Sequence, residues 1–217
     1  DGRITIDGFY DDVVELTVED REAIARVPFD EDEYAAKMGV PESFGEAGYT
    51  VAERLWARPT LELNGIWGGY QGSGTKTVIP SQAHAKITCR LVADQSPEEI
   101  VRLIRAHVET HTPPGVTVEV GRLPATAKPF LMPRGHNASE IAGKVLWDMY
   151  GKEPYKTRVG GSIPVMSMLL DELGVHATML AFGLDDEQIH APNEFFRLSS
   201  FRRSQECYCR LMEVLGA

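Results

Sequence analysis

The strongest constraint on the fold is a change of pattern partway along the chain. Between residues 60 and 120 the sequence favours short alternating segments. Thr60-Leu-Glu-Leu-Asn, Thr77-Val-Ile-Pro, Ala83-His-Ala-Lys-Ile-Thr-Cys-Arg-Leu-Val and Val116-Thr-Val-Glu-Val read as strands, whose side chains alternate between core and solvent. One helix interrupts them. Ser96 caps it, Pro97 takes its first position, Glu98 and Glu99 suit the positive end of its dipole, and Ile100, Leu103, Ile104 and Val108 form its apolar stripe. Strand, strand, helix, strand, with Gly and Pro at the joints, predicts an antiparallel sheet with a helix on one face.

Pro124, Pro129 and Pro133 then mark a crossing between lobes. Beyond it the expected order is a helix from Asn137 to about Tyr150 and a short strand at Pro154–Arg158. A turn at Gly160-Gly-Ser-Ile-Pro opens a helix through Leu173. A buried-type strand at His176–Phe182, a loop and a last helix from about Ser199 to Leu215 complete it. That is the pattern of an open α/β sheet. The expected class is therefore α/β plus α+β. The first 56 residues lean helical, with Thr17 opening one helix, Pro28 and Pro41 breaking the stretch, and a second helical piece over about Thr50–Trp56.

Composition excludes several functions. A net charge of −10 argues against nucleic acid and anionic membranes, both of which need Lys and Arg to replace counterions. No apolar run is long enough to span a bilayer, and the charged start Asp1-Gly-Arg-Ile is unlike a signal peptide. Cys89, Cys207 and Cys209 fit neither a disulfide framework nor a zinc ribbon, and read as free thiols of a reducing cytosol.

The candidate chemistry is sparse. His190 lies in an acidic loop after a hydrophobic strand, where open α/β folds bind ligands; imidazole is a common zinc ligand that nearby carboxylates can orient. By spacing alone it reads as a loop histidine without a role, because one histidine does not make a metal site. Gly160-Gly161-Ser162 reads equally as plain helix entry or as an anion site, with bare helix N–H groups facing a carboxylate. Arg90 ends a strand and offers a fork for a carboxylate, and Thr77 follows a glycine-rich loop; each alone reads as a surface residue. His107 and His111 stand one turn apart on a helix, without the intervening Glu of a zincin motif.

In order, Gly74-Thr-Lys-Thr-Val-Ile-Pro, Cys89-Arg-Leu-Val-Ala-Asp-Gln, Thr157-Arg-Val-Gly-Gly-Ser-Ile-Pro and His190-Ala-Pro-Asn-Glu resemble the cytosolic carnosinase-like dipeptidases of the zinc aminoacylase/carnosinase metallopeptidase family. Phe9-Tyr-Asp-Asp-Val resembles a segment of their lid domain, so the similarity covers nearly the whole chain. The resemblance implies a catalytic α/β domain with an inserted lid that also forms a homodimer. Residues 1–123 would be most of the lid, and 124–217 the last catalytic segment. His190 would be a zinc ligand, Arg90 would hold the substrate's C-terminal carboxylate, Gly161 and Ser162 would line the same pocket, and Thr77 would reach the partner's site. Val159 departs from the family, whose members usually carry Glu there.

The resemblance also implies what else the chemistry needs. The family's two-zinc centre uses a His-x-Asp motif, a bridging Asp, a Glu-Glu pair containing the general base, and a further acid. The chain has no His-x-Asp, and its Glu98-Glu99 pair belongs to a helix start. The expectation is a C-terminal portion of a cytoplasmic metallopeptidase acting on dipeptides or N-acyl amino acids by metal-activated water, inactive by itself. The competing readings are a dimerisation module and a pseudo-peptidase that binds a carboxylate without catalysis. A cysteine hydrolase is disfavoured, because no cysteine sits in a glycine-rich elbow.

Overall fold

The computed structural model describes residues 2–121, 126–158 and 163–216. The chain forms two compact units. One comprises Asp1–Phe130 with Thr157–Ser167, and the other Leu131–Lys156 with Met168–Ala217.

In the first unit, helices α1 (Val18–Ala25), α2 (Glu31–Met38) and α3 (Val51–Ala57) precede strands β1 (Thr60–Gly68) and β2 (Ala83–Arg90), and α4 (Pro97–His111) follows. Local chemistry sets the helix starts. Thr17 and Asp20 form a capping box on α1, Thr50 and Glu53 form another on α3, and Ser96 caps α4 ahead of Pro97. α2 was not anticipated from sequence. Asp30 caps it and Gly39 ends it in the left-handed region, between the prolines that read as breakers.

The core of this unit gathers around Phe9, which is 1% exposed. Its carbonyl accepts a 2.8 Å hydrogen bond from buried Gln95 Nε2, which ties the N-terminal turn to the entry of α4. Gly8 makes the approach possible, because its φ is +79° and a Cβ there would lie 3.2 Å from Leu103 Cδ2. Burying a ring such as that of Phe9 contributes about 2–3 kcal/mol. Arg58, 4% exposed, is a polar anchor of the same unit, its guanidinium 5.1 Å from the Tyr10 ring centre. Its Nε and Nη2 donate to Glu46 at 2.8 Å each and its Nη1 to Glu15 at 3.2 Å, while its guanidinium lies 4.4 Å from the Tyr49 ring centre.

β1 and β2 form an antiparallel pair, in register from Thr60 opposite Arg90 to Gly68 opposite Ala83, with an irregularity between Leu63 and Gly65. The sheet leaves apolar side chains in solvent, with Leu63 54% and Ile66 70% exposed. Such a two-strand ribbon has little stability of its own.

In the second unit, α5 (Asn137–Tyr150) packs on α7 (Leu198–Leu215), burying Ala142, Val145 and Cys207. Between them in sequence come α6 (Pro164–Leu173), whose residues up to Ser167 are counted in the first unit and the rest in the second, and a 3-10 turn at Asp185–Glu187.

Helix and antiparallel sheet are both present, but four expected strands are corrected. Residues 77–80, 116–120, 154–158 and 176–182 join no ladder among the described residues. A strand needs backbone partners, and two of these segments give carbonyls to side chains instead. Arg105 takes the carbonyls of Val120 and Gly121 at 3.0 Å, and the Tyr208 hydroxyl takes that of Leu180 at 2.7 Å. β1 runs on through Gly65–Gly68, past the expected Thr60–Asn64 segment.

Candidate functional site

His190 is exposed in a loop that one carboxylate closes. Glu187, 1% exposed, accepts from Leu184 N at 2.9 Å and from Arg197 N at 3.0 Å. Arg197 Nη1 also donates to it at 3.1 Å, while the same guanidinium holds Asp186 at 2.6 and 2.8 Å. The Leu184 amide, aided by Arg197, keeps the Glu187 carboxyl below the usual carboxylate range. The loop spanned by this clasp contains Gln188, His190 and Asn193, all with φ between 53° and 65°. Left-handed non-glycine residues cost about 1 kcal/mol or more each, and persist where neighbours hold them. Ile189, Phe195 and Phe196 line an open depression beside Glu187 and Glu194.

From sequence, the loop's carboxylates can orient the imidazole. The structure assigns two of them elsewhere, because Asp186 and Glu187 both engage Arg197. Arg197 itself escaped the sequence reading, since its partners lie 10 and 11 residues away and make no periodic pattern.

Arg90 ends β2 opposite Thr60, with an exposed side chain. Thr77 is exposed in the β1–β2 connection, beyond Gly74. Gly161 and Ser162 lie outside the described residues, as does Val159. Arg158 just before them donates a 2.6 Å hydrogen bond to Asp20, whose other oxygen belongs to the capping box of α1. Thr77 and Arg90 belong to the first unit and His190 to the second.

Among the described residues, no group of three or more His, Cys, Asp or Glu side chains is gathered to hold a metal ion. A dinuclear centre needs several ligands per ion, so the described residues do not make one. The cysteines are free, and burial pushes the Cys89 thiol up to about 11, the reverse of an activated nucleophile. No helix of the described residues is long and apolar enough to cross a membrane.

Residues 15–116 match the M20 peptidase dimerisation domain. The Cys-Gly metallodipeptidase DUG1 of Candida albicans is 30% identical over 208 residues, covering 92% of this chain and 42% of that protein. The Beta-Ala-His dipeptidase of Rattus norvegicus is 26% identical, covering 89% and 40%. The M20 family metallo-carboxypeptidase Sso-CP2 from Sulfolobus solfataricus superposes with a TM-score of 0.81 at 28% identity, over 97% of this chain and 48% of that one. The chain is similar to M20 metallopeptidases along most of its length, and residues 15–116 match the dimerisation domain. It spans less than half the length of the curated relatives it matches. Those relatives include metallodipeptidases and a metallo-carboxypeptidase, which are hydrolases.

Proposed function

We propose that the chain is the lid and the last catalytic segment of a zinc-dependent dipeptidase. Residues 1–123 form most of the lid, and 124–217 complete the catalytic domain. The observation that carries the reading is the match to a Cys-Gly metallodipeptidase along 92% of the chain, with the dimerisation domain where the exposed β1–β2 ribbon lies.

In this reading His190 is one metal ligand, presented by the Glu187–Arg197 clasp. The remaining ligands of the two-zinc site and the general base come from a longer polypeptide. Arg90 grips the substrate's terminal carboxylate as a planar two-pronged donor. Gly161 and Ser162 line the same pocket, and Thr77 reaches the site of a second subunit. The protein works as a cytoplasmic homodimer on dipeptides or N-acyl amino acids, without nucleic acid or membrane. The 217-residue chain alone neither hydrolyses peptides nor holds zinc tightly, because a single histidine leaves the metal's coordination to water.

The test compares the protein made from the complete reading frame with this chain. Hydrolysis of Cys-Gly by the former, and none by the latter with added zinc, is the expected pair of results. Peptidase activity in the 217-residue chain would refute the reading. The exposed ribbon also favours a second reading, a dimerisation or carboxylate-binding module without catalysis. A complete reading frame lacking His-x-Asp and Glu-Glu motifs would select it.

A further inference from the structure

The helix α4 ends in a feature that the dipeptidase reading does not use. His107 and His111 lie one turn apart, their ring centres 4.0 Å from each other and their planes inclined by 29°. His111 Nδ1 is 2.8 Å from the carbonyl oxygen of His107. A carbonyl can only accept, so Nδ1 carries the hydrogen. In the neutral ring the Nε2 lone pair is therefore free to bind a metal, and the carbonyl fixes the ring as an outer partner fixes a ligating histidine. The neighbouring carbonyls are taken by Thr110, which donates to Ala106 at 2.8 Å, and by Thr112, which donates to Val108 at 2.6 Å. The turn is thus held while the rings stay at the surface, His111 exposed and His107 half-buried. The C-terminal end of a helix is its negative pole, which favours a cation.

We propose that His107 and His111 chelate a late first-row transition-metal cation (Zn2+, Ni2+ or Cu2+) at the end of α4. Both histidines belong to the first unit, whereas His190 belongs to the second. With two imidazoles as its protein ligands, the ion keeps open positions, filled by water or by donors from another molecule. Binding is consequently exchangeable and follows the general preference for Cu2+ over Ni2+ and Zn2+. His136 makes the contrast. Its Nδ1 accepts from Ala138 N at 3.3 Å as the cap of α5, so in the neutral ring its Nε2 carries the hydrogen and offers no lone pair.

The experiment is calorimetric titration of the untagged 217-residue chain with Ni2+, repeated on His107→Ala, His111→Ala, His136→Ala and His190→Ala. The wild type takes up Ni2+. Each of the first two substitutions weakens uptake by at least about tenfold, the scale on which even the outer partners of bound metals act. His136→Ala leaves it unchanged, and His190→Ala serves as the comparison for the other candidate ligand. Circular dichroism of the variants confirms that α4 is intact. Failure of the wild type to bind Ni2+ in the millimolar range overturns the proposal. So does undiminished binding by a His107→Ala/His111→Ala double variant, or loss of binding confined to His190→Ala. The proposal does not depend on the dipeptidase reading, whose failure shows instead as absence of peptide hydrolysis by the protein from the complete reading frame.

Discussion

Glu187 and Arg197 lock the two ends of the His190 loop, through a 3.0 Å bond to the Arg197 amide and a 3.1 Å bond to its guanidinium. The loop that carries the candidate ligand is therefore held from its base, while the imidazole stays in solvent. Glu187→Ala removes the acceptor shared by Leu184 N and Arg197 N. We expect faster amide hydrogen exchange at those two residues, with the α5–α7 core still protected. Unchanged exchange would show that the 3-10 turn holds the loop without its carboxylate.

The same carboxylate makes the chain sensitive to acid. Glu187 is held below the usual range first by the Leu184 amide, and Glu15 first by the Tyr49 hydroxyl. A lowered folded-state pKa gives stability that is present above the unfolded value and lost as pH falls through the folded one. Stability should therefore fall below about pH 5. Melting temperature against pH checks this, and Glu187→Gln should flatten the acid limb.

Arg58 tests the polar core. It is 4% exposed and faces Glu46, 11% exposed, through two bonds. Arg58→Met leaves the Glu46 charge without its fork, and should cost about 3 kcal/mol in urea unfolding. Arg58→Lys keeps the charge but not the planar double contact, so it should recover only part of the loss.

Phe9→Ala should cost about 3–4 kcal/mol by the same measurement, since the ring is fully buried and Gln95 fixes the turn that carries it. Ile66→Asp is the opposite case. With Ile66 70% exposed, the monomer's melting temperature should not move, while sedimentation should show loss of the proposed homodimer.

Helix starts were legible in the sequence because caps are local. Thr17, Ser96 and Pro97 act within one turn of themselves, and each stands where its chemistry requires. Asp30 carries the same signal for α2, but Pro28 and Pro41 masked it. Strands are a matter of partners. Val116-Thr-Val-Glu-Val has a strand's alternation, yet its last carbonyl goes to Arg105. At the candidate site, motifs in order single out His190 and Arg90. The Glu187–Arg197 clasp and the Asp20–Arg158 bond, which joins residues 138 positions apart, are not marked in this way, because only folding brings those charges together.

The most direct test is hydrolysis of Cys-Gly by the protein from the complete reading frame, with and without His190→Ala, at saturating zinc. If His190 is a metal ligand, the variant should lose at least about a hundredfold in kcat/KM, together with bound zinc, while keeping its fold. Full activity and full zinc content in His190→Ala would contradict the account.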